Sequence, residues 1–178
     1  YNYGRSLASG ALSLRGLLQE LARLKVDGVE LMRAHAAGLS AAELSALAGD
    51  LGLSVPVLLE SAALADRDPA RRAAAAQGVA PAIDLAAALG AQYIMLLPSG
   101  DAGGAADAEV RRWIGEGVRR AGDLARGSGV RMIVENHGGA ARLRGRVEHM
   151  LEFCAAAPEM GLCFDTGNFF LAGEELGD

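Results

Sequence analysis

The sequence predicts an α/β fold of the (β/α)8 TIM-barrel type, incomplete, with about six βα units present and the last two strands missing. Three observations lead there. Short apolar runs alternate with helical stretches along the chain, in a repeat of roughly 30–40 residues. The runs are continuously apolar, as expected of parallel strands covered on both faces by helices. Polar residues (Glu30, Glu60, Ser99, Glu135 and Asp165) stand at the carboxyl ends of several of them, where barrel enzymes build their sites. An open doubly wound sheet shares the first two features, but no G-x-G-x-x-G follows the first strand. The barrel is favoured.

The elements follow in order. "YNYGRSLASGAL" reads as the clipped end of a first strand and its loop. In "LRGLLQELARLK", Leu14, Leu17, Leu18, Leu21 and Leu24 recur at helical spacing and form one apolar stripe. "VDGVELM" is a strand. "SAAELSALAGDLG" opens with Ser40 and has Glu43 three residues on, a capping box, and stops near Gly49 or Gly52. "LSVPVLLES" is a strand provided that Pro56 lies near its start.

"DPARRAAAAQGVAPAIDLAAALG" is an alanine-rich helical stretch begun by Asp68 and Pro69, which Pro81 should kink or divide. "AQYIMLLPSG" is a strand, followed through a glycine-rich loop by a helix over residues 108–126. "VRMIVENHGG" is a strand, "RGRVEHMLEFCAAA" a helix and "MGLCFDTGNFF" a last strand. No linker interrupts the pattern, so residues 1–178 read as a single, partial domain.

Composition narrows the function classes. The chain is 51% hydrophobic, enough for one sizeable core, and carries a net charge of −5. An acidic chain without a basic stripe argues against nucleic-acid binding. Cys154 and Cys163 lack metal-type spacing and read as plain buried cysteines. No run approaches the ~18 apolar residues of a membrane span. No signal peptide is visible, and a cytoplasmic location is expected, although the chain begins at Tyr1 rather than at a methionine. Lys25, the only lysine, precedes the second strand and so stands at the wrong end of a barrel for a Schiff-base aldolase. Trp113 reads as helix–sheet packing, and His35 and His149 as surface.

The chemistry concentrates at two strand ends. If Glu135 points into the barrel, Ile133 shares its face and Val134 packs outward. By the same period of two, Asp165 shares a face with Cys163 while Phe164 turns outward. Glu135 and Asp165 then lie on neighbouring strands about 5 Å apart at one mouth. Two carboxylates so placed repel unless a proton or a cation lies between them, and hard divalent cations take oxygen ligands. Alternatively, each acid caps its following helix or binds a loop N–H.

"VENHGG" at 134–139 followed by "GLCFDTGNF" at 161–169 resembles the sugar phosphate isomerase/epimerase family, within the xylose isomerase-like barrels. "DGVEL" at 27–31 and "LGAQYIMLLPSG" at 89–100 sit where that family has its second and fourth strands. The resemblance implies a divalent metal ion (Mn²⁺, Mg²⁺, Co²⁺ or Zn²⁺), with Glu135 and Asp165 as ligands from the fifth and sixth strands. It also implies Glu135 as the proton-transfer base. The other ligands and a second catalytic Glu would come from two further strands beyond Asp178, so the chain alone is expected to be inactive. Glu174, Glu175 and Asp178 are not counted as ligands.

Asn136, His137 and Asn168 are the substrate-binding candidates. Asn136 either orients Glu135 or touches substrate. His137 either bonds a substrate hydroxyl or a carboxylate, or is a solvated loop histidine. Asn168 is a substrate contact or a turn residue, and it stands where several relatives carry a histidine. Gly138 and Gly139 either bring backbone N–H groups to a ligand or make the turn.

The implied function is a metal-dependent sugar (phosphate) isomerase or epimerase acting by proton transfer next to a carbonyl on a small carbohydrate. Alternatives on the same scaffold are a lyase or dehydratase on a polyol-derived ketone and, lower in rank, an apurinic endonuclease-type phosphodiesterase. A non-catalytic binding module is a further alternative. No nucleic-acid or membrane partner is expected, and a homo-oligomer is left open.

Overall fold

The computed structural model describes residues 3–138 and 141–175. Five strands, β1 (Leu31–Met32), β2 (Val57–Ala62), β3 (Tyr93–Pro98), β4 (Arg131–Glu135) and β5 (Gly161–Cys163), form one sheet in the order β1-β2-β3-β4-β5. Every pairing is parallel. Helical segments connect the strands, and β1 and β5 are the edges of an open arc among the described residues.

Period-two alternation splits the sheet into two apolar faces. Leu58, Ile94, Leu96, Met132 and Val134 join the large core beneath the helices. Val57, Leu59, Met95, Leu97 and Ile133 form a smaller cluster on the inner face, with Met32, Tyr93 and Cys163 packed against it. Ile133 therefore lies inside and Val134 lies fully buried under the helices, as the alternation predicts.

The helices follow their capping chemistry. Helix α1 (Gly4–Ala8) is followed by α2 (Leu14–Arg23), which buries Leu14, Leu17 and Leu18. A short 3-10 turn (Arg33–Ala36) leads to α3 (Ala41–Asp50), where Ser40 and Glu43 close the predicted capping box. The alanine-rich stretch is divided, as Pro81 predicts, into α4 (Pro69–Gln77) and α5 (Ala80–Leu89), and Asp68 caps α4 at Ala70 N–H. The long helix α6 (Asp107–Ala125) precedes β4; α7 (Ala141–Arg144) and α8 (Val147–Ala156) follow it. After β5 comes α9 (Thr166–Leu171).

Several expectations are corrected. The segment expected to end a first strand forms α1 instead, with Leu7 N–H bonded to Tyr3 C=O at 2.9 Å. Arg5 and Ser6 leave it no continuous apolar run to bury in a sheet. The described sheet thus has five strands, not six. The second expected strand shrinks to Leu31–Met32 plus a single bridge between Gly28 and Ser54. There the backbones approach closely: a Cβ on Gly28 would lie 2.9 Å from Ser54 C=O. The last expected strand is only Gly161–Cys163, because Asp165 caps a helix where a longer strand was read.

His149 is buried rather than on the surface, at 5% exposure, and its Nδ1 accepts a hydrogen bond from Arg146 N–H. Trp113 packs partly buried on the core with the Arg72 guanidinium 4.2 Å above its ring, so it bridges α6 to α4. Both cysteines are free, in α8 and β5, and half-buried rather than buried as expected.

Candidate metal and proton-transfer site

Strands β4 and β5 run in register, Ile133 beside Gly161, Val134 beside Leu162 and Glu135 beside Cys163. Gly161 permits the close fit, since a Cβ there would stand 2.8 Å from Ile133 Cγ2. Glu135 is therefore the last residue of β4, on the inner face, and Asp165 lies two positions past its ladder partner. The two acids share one mouth, at the carboxyl ends of neighbouring parallel strands.

Beyond the last ladder pair, side chains take over from the backbone. Asn136 Nδ2 donates to Asp165 C=O at 2.8 Å, and Asp165 N–H donates to Asn136 Oδ1 at 2.9 Å. The amide imitates a peptide group and extends the pairing by one residue. Each such bond contributes about 0.5–1.5 kcal/mol net. Asp165 Oδ1 accepts from Asn168 N–H at 2.9 Å, the N-cap of α9. Asn168 Oδ1 in turn accepts from Gly138 N–H at 3.2 Å. Gly138 has no room for a side chain, because a Cβ would sit 2.5 Å from Leu171 Cβ.

These contacts define what each predicted residue does in the structure. Asn136 is fully buried, with both amide ends bonded to the Asp165 backbone. Asn168 lends its side-chain oxygen to the turn. His137 donates its backbone N–H to Arg144 C=O at 3.0 Å, and its buried Nδ1 meets no partner among the described residues. Gly138 makes the turn; Gly139 and Asp178 lie outside the described residues. Glu60 lies on the helix-facing side of β2, paired with Arg33 (Arg33 Nη2 to Glu60 Oε1, 2.7 Å), and so leaves the mouth. Ser99 is 3.4 Å from the Ser61 hydroxyl.

The electrostatics set Glu135 apart. Burial raises its pKa above the ordinary carboxylate value, and the negative charges of Asp165 and Glu30 add to the rise; Arg144 and the Cys163 thiol oppose it. Burial, and then the charge of Arg144, lower the pKa of His137, keeping its imidazole neutral over a wider range. Burial and the Glu135 charge raise that of the Cys163 thiol.

A family model described as a xylose isomerase-like TIM barrel matches residues 18–178. The chain belongs to that family. Solved structures of similar fold include a sugar phosphate isomerase/epimerase from Parabacteroides distasonis (TM-score 0.72, 14% identity, 98% of this chain and 66% of that one). A D-psicose 3-epimerase from Clostridium cellulolyticum H10 aligns with TM-score 0.72 and 16% identity, over 91% of this chain and 61% of that one. The probable 3-DHS dehydratase AsbF from Bacillus anthracis aligns with TM-score 0.69 and 15% identity, over 91% and 61%. The chain thus spans less than two thirds of the length of each. Comparison with curated proteins returns no match.

Within this xylose isomerase-like barrel, the acid pair fits part of a divalent-metal site. Its donors are carboxylate oxygens, the kind hard cations prefer, and a cation there would offset the burial and the Asp165 charge that raise the Glu135 pKa. Among the described residues, no group of three or more His, Cys, Asp or Glu side chains is arranged to hold a metal ion. Sequence reading did not single out Arg144, which is buried (7% exposed) and acts on both Glu135 and His137. Nothing in the arginine-rich "RLRGR" run distinguishes it. Cys163 was signalled by parity with Asp165. Among the described residues, no helix is long and apolar enough to cross a membrane.

Proposed function

We propose that this chain carries the metal and proton-transfer site of a divalent-metal-dependent sugar, or sugar phosphate, isomerase or epimerase. The observation that supports this most is the placement of Glu135 and Asp165 at adjacent strand ends, with the Glu135 pKa raised. Glu135 and Asp165 Oδ2 would hold Mn²⁺, Mg²⁺, Co²⁺ or Zn²⁺, which when bound supplies Lewis-acid polarisation of a substrate oxygen. Asp165 Oδ1 stays with the helix cap.

Glu135 does the proton transfer. A carboxylate with a raised pKa is a stronger base than one in water, and a pKa nearer the working pH suits a group that must both accept and give up the proton. It takes a proton from the carbon beside the substrate carbonyl, then either gives it to the carbonyl carbon while the hydroxyl proton passes between the two oxygens, or leaves the same carbon to be reprotonated on its opposite face by a second acid. The first outcome is isomerisation, the second epimerisation. His137 is the remaining substrate-contact candidate, since the Asn136 and Asn168 side chains are engaged with backbone groups. The substrate is then a small carbohydrate, with no role for nucleic acid or membrane, and the site of action cytoplasmic.

The test is solvent exchange. The protein at its natural length, with Mn²⁺, is incubated with a panel of ketoses and their phosphates in D₂O and followed by proton NMR. Deuterium should enter at a carbon next to the carbonyl, and Glu135→Gln should slow this by several orders of magnitude. Loss of water from a substrate would point to a dehydratase instead, and wild-type exchange by the Gln variant would end the Glu135 assignment.

A further inference from the structure

Two strand-exit loops meet at the mouth, and four hydrogen bonds close them into a ring. Asn136 grips the Asp165 backbone in both directions, Asp165 grips the Asn168 backbone, and Asn168 grips the Gly138 backbone. Each link runs from a side chain to a main-chain group of another residue, and the ring returns to the loop on which it began. We infer that Asn136 is a positioning residue: through the Asp165 main chain it fixes the height and direction of the Asp165 carboxylate relative to Glu135.

The geometry carries this in three steps. The backbone ladder ends with the pair Glu135–Cys163, so nothing in the sheet itself holds Asp165 to β4. Asn136 is fully buried, and its side chain bonds both the N–H and the C=O of that residue. With its backbone held by Asn136 and Oδ1 held by α9, Asp165 keeps little rotational freedom, and Oδ2 is the oxygen left over. A preset donor oxygen loses less freedom on binding a cation, and supporting contacts of this kind typically change metal affinity about tenfold to a hundredfold. The inference rests on the metal reading above.

A double-mutant cycle tests it, with Mn²⁺ as the probe. Dissociation constants are measured by calorimetry on the protein at its natural length, wild type, Asn136→Ala, Asp165→Asn and the double variant. Circular dichroism confirms the fold at the titration temperature. Positioning predicts that Asn136→Ala weakens Mn²⁺ binding about tenfold or more in the wild-type background. In the Asp165→Asn background the same change should have little effect, because the carboxylate it positions is gone. Equal weakening in both backgrounds would mean a general structural role, and no weakening in either would also overturn the inference. A wild type that binds no Mn²⁺ would overturn the metal reading and the inference with it, whereas tight wild-type binding with an unaffected Ala variant would overturn the inference alone. Should Asn136→Ala fail to fold, Asn136→Ser takes its place in the cycle with the same expectations.

Discussion

Glu135 and Cys163 are direct partners in the parallel ladder between β4 and β5, and the Cys163 Sγ lies 3.9 Å from Glu135 Oε1. A weak thiol contact does little to offset burial and the negative charges of Asp165 and Glu30, so the Glu135 pKa is raised. The folded state then holds that proton more tightly than the unfolded chain. The resulting stabilisation is present below the ordinary carboxylate pKa and is lost as pH rises through the raised folded value. In metal-free buffer, Glu135→Gln should therefore melt at a higher temperature than wild type at about pH 7, and the gap should shrink as pH falls toward about 4. Thermal melts at the two pH values check this.

His149 predicts the opposite sense. Burial and then the charge of Arg111 lower its pKa, and the neutral ring accepts the Arg146 N–H at the start of α8. Its contribution is present above the ordinary histidine value of about 6.5 and lost as pH falls below it. His149→Gln keeps an acceptor at the same capping position. The urea midpoint of wild type should drop between about pH 7 and pH 5 by more than that of the variant.

Gly138→Ala probes how tightly the two exit loops meet. The new Cβ would lie 2.5 Å from Leu171 Cβ and 3.0 Å from Asn168 C=O, so α9 must shift. Overpacking of this kind costs about 1–3 kcal/mol, readable as a lower denaturant midpoint. The same variant should weaken Mn²⁺ binding, because the shift moves Asp165.

Strand β5 is an edge, and Leu162, Phe164, Phe170 and Leu171 beside it are 41%, 63%, 77% and 72% exposed. An apolar patch on a sheet edge invites self-association. The 178-residue chain should sediment as concentration-dependent oligomers, and Phe170→Lys should reduce them without lowering the melting temperature.

How much of this was legible follows from the range of each force. Strand alternation is local, so Ile133 and Cys163 inside and Val134 outside could be read from the chain. So could the Ser40–Glu43 box and the division of the helix near Pro81. The α1 helix in place of a strand, and the helix that Asp165 caps, were decided by short segments in which polar residues competed with an apolar pattern. The Asn136 clamp, the Arg33–Glu60 pair and the burial of His149 and Arg144 depend on contacts between segments far apart in sequence. No periodicity encodes those.

The measurement that bears most directly on the central claim is an anomalous-scattering map of the protein crystallised with Mn²⁺. The account predicts a single strong peak at the carboxyl ends of β4 and β5, within bonding distance of a Glu135 carboxylate oxygen and of Asp165 Oδ2, with Asp165 Oδ1 still on Asn168 N–H. A Mn²⁺ peak that avoids both carboxylates, or a map without one while Glu135 and Asp165 keep their present contacts, would contradict it.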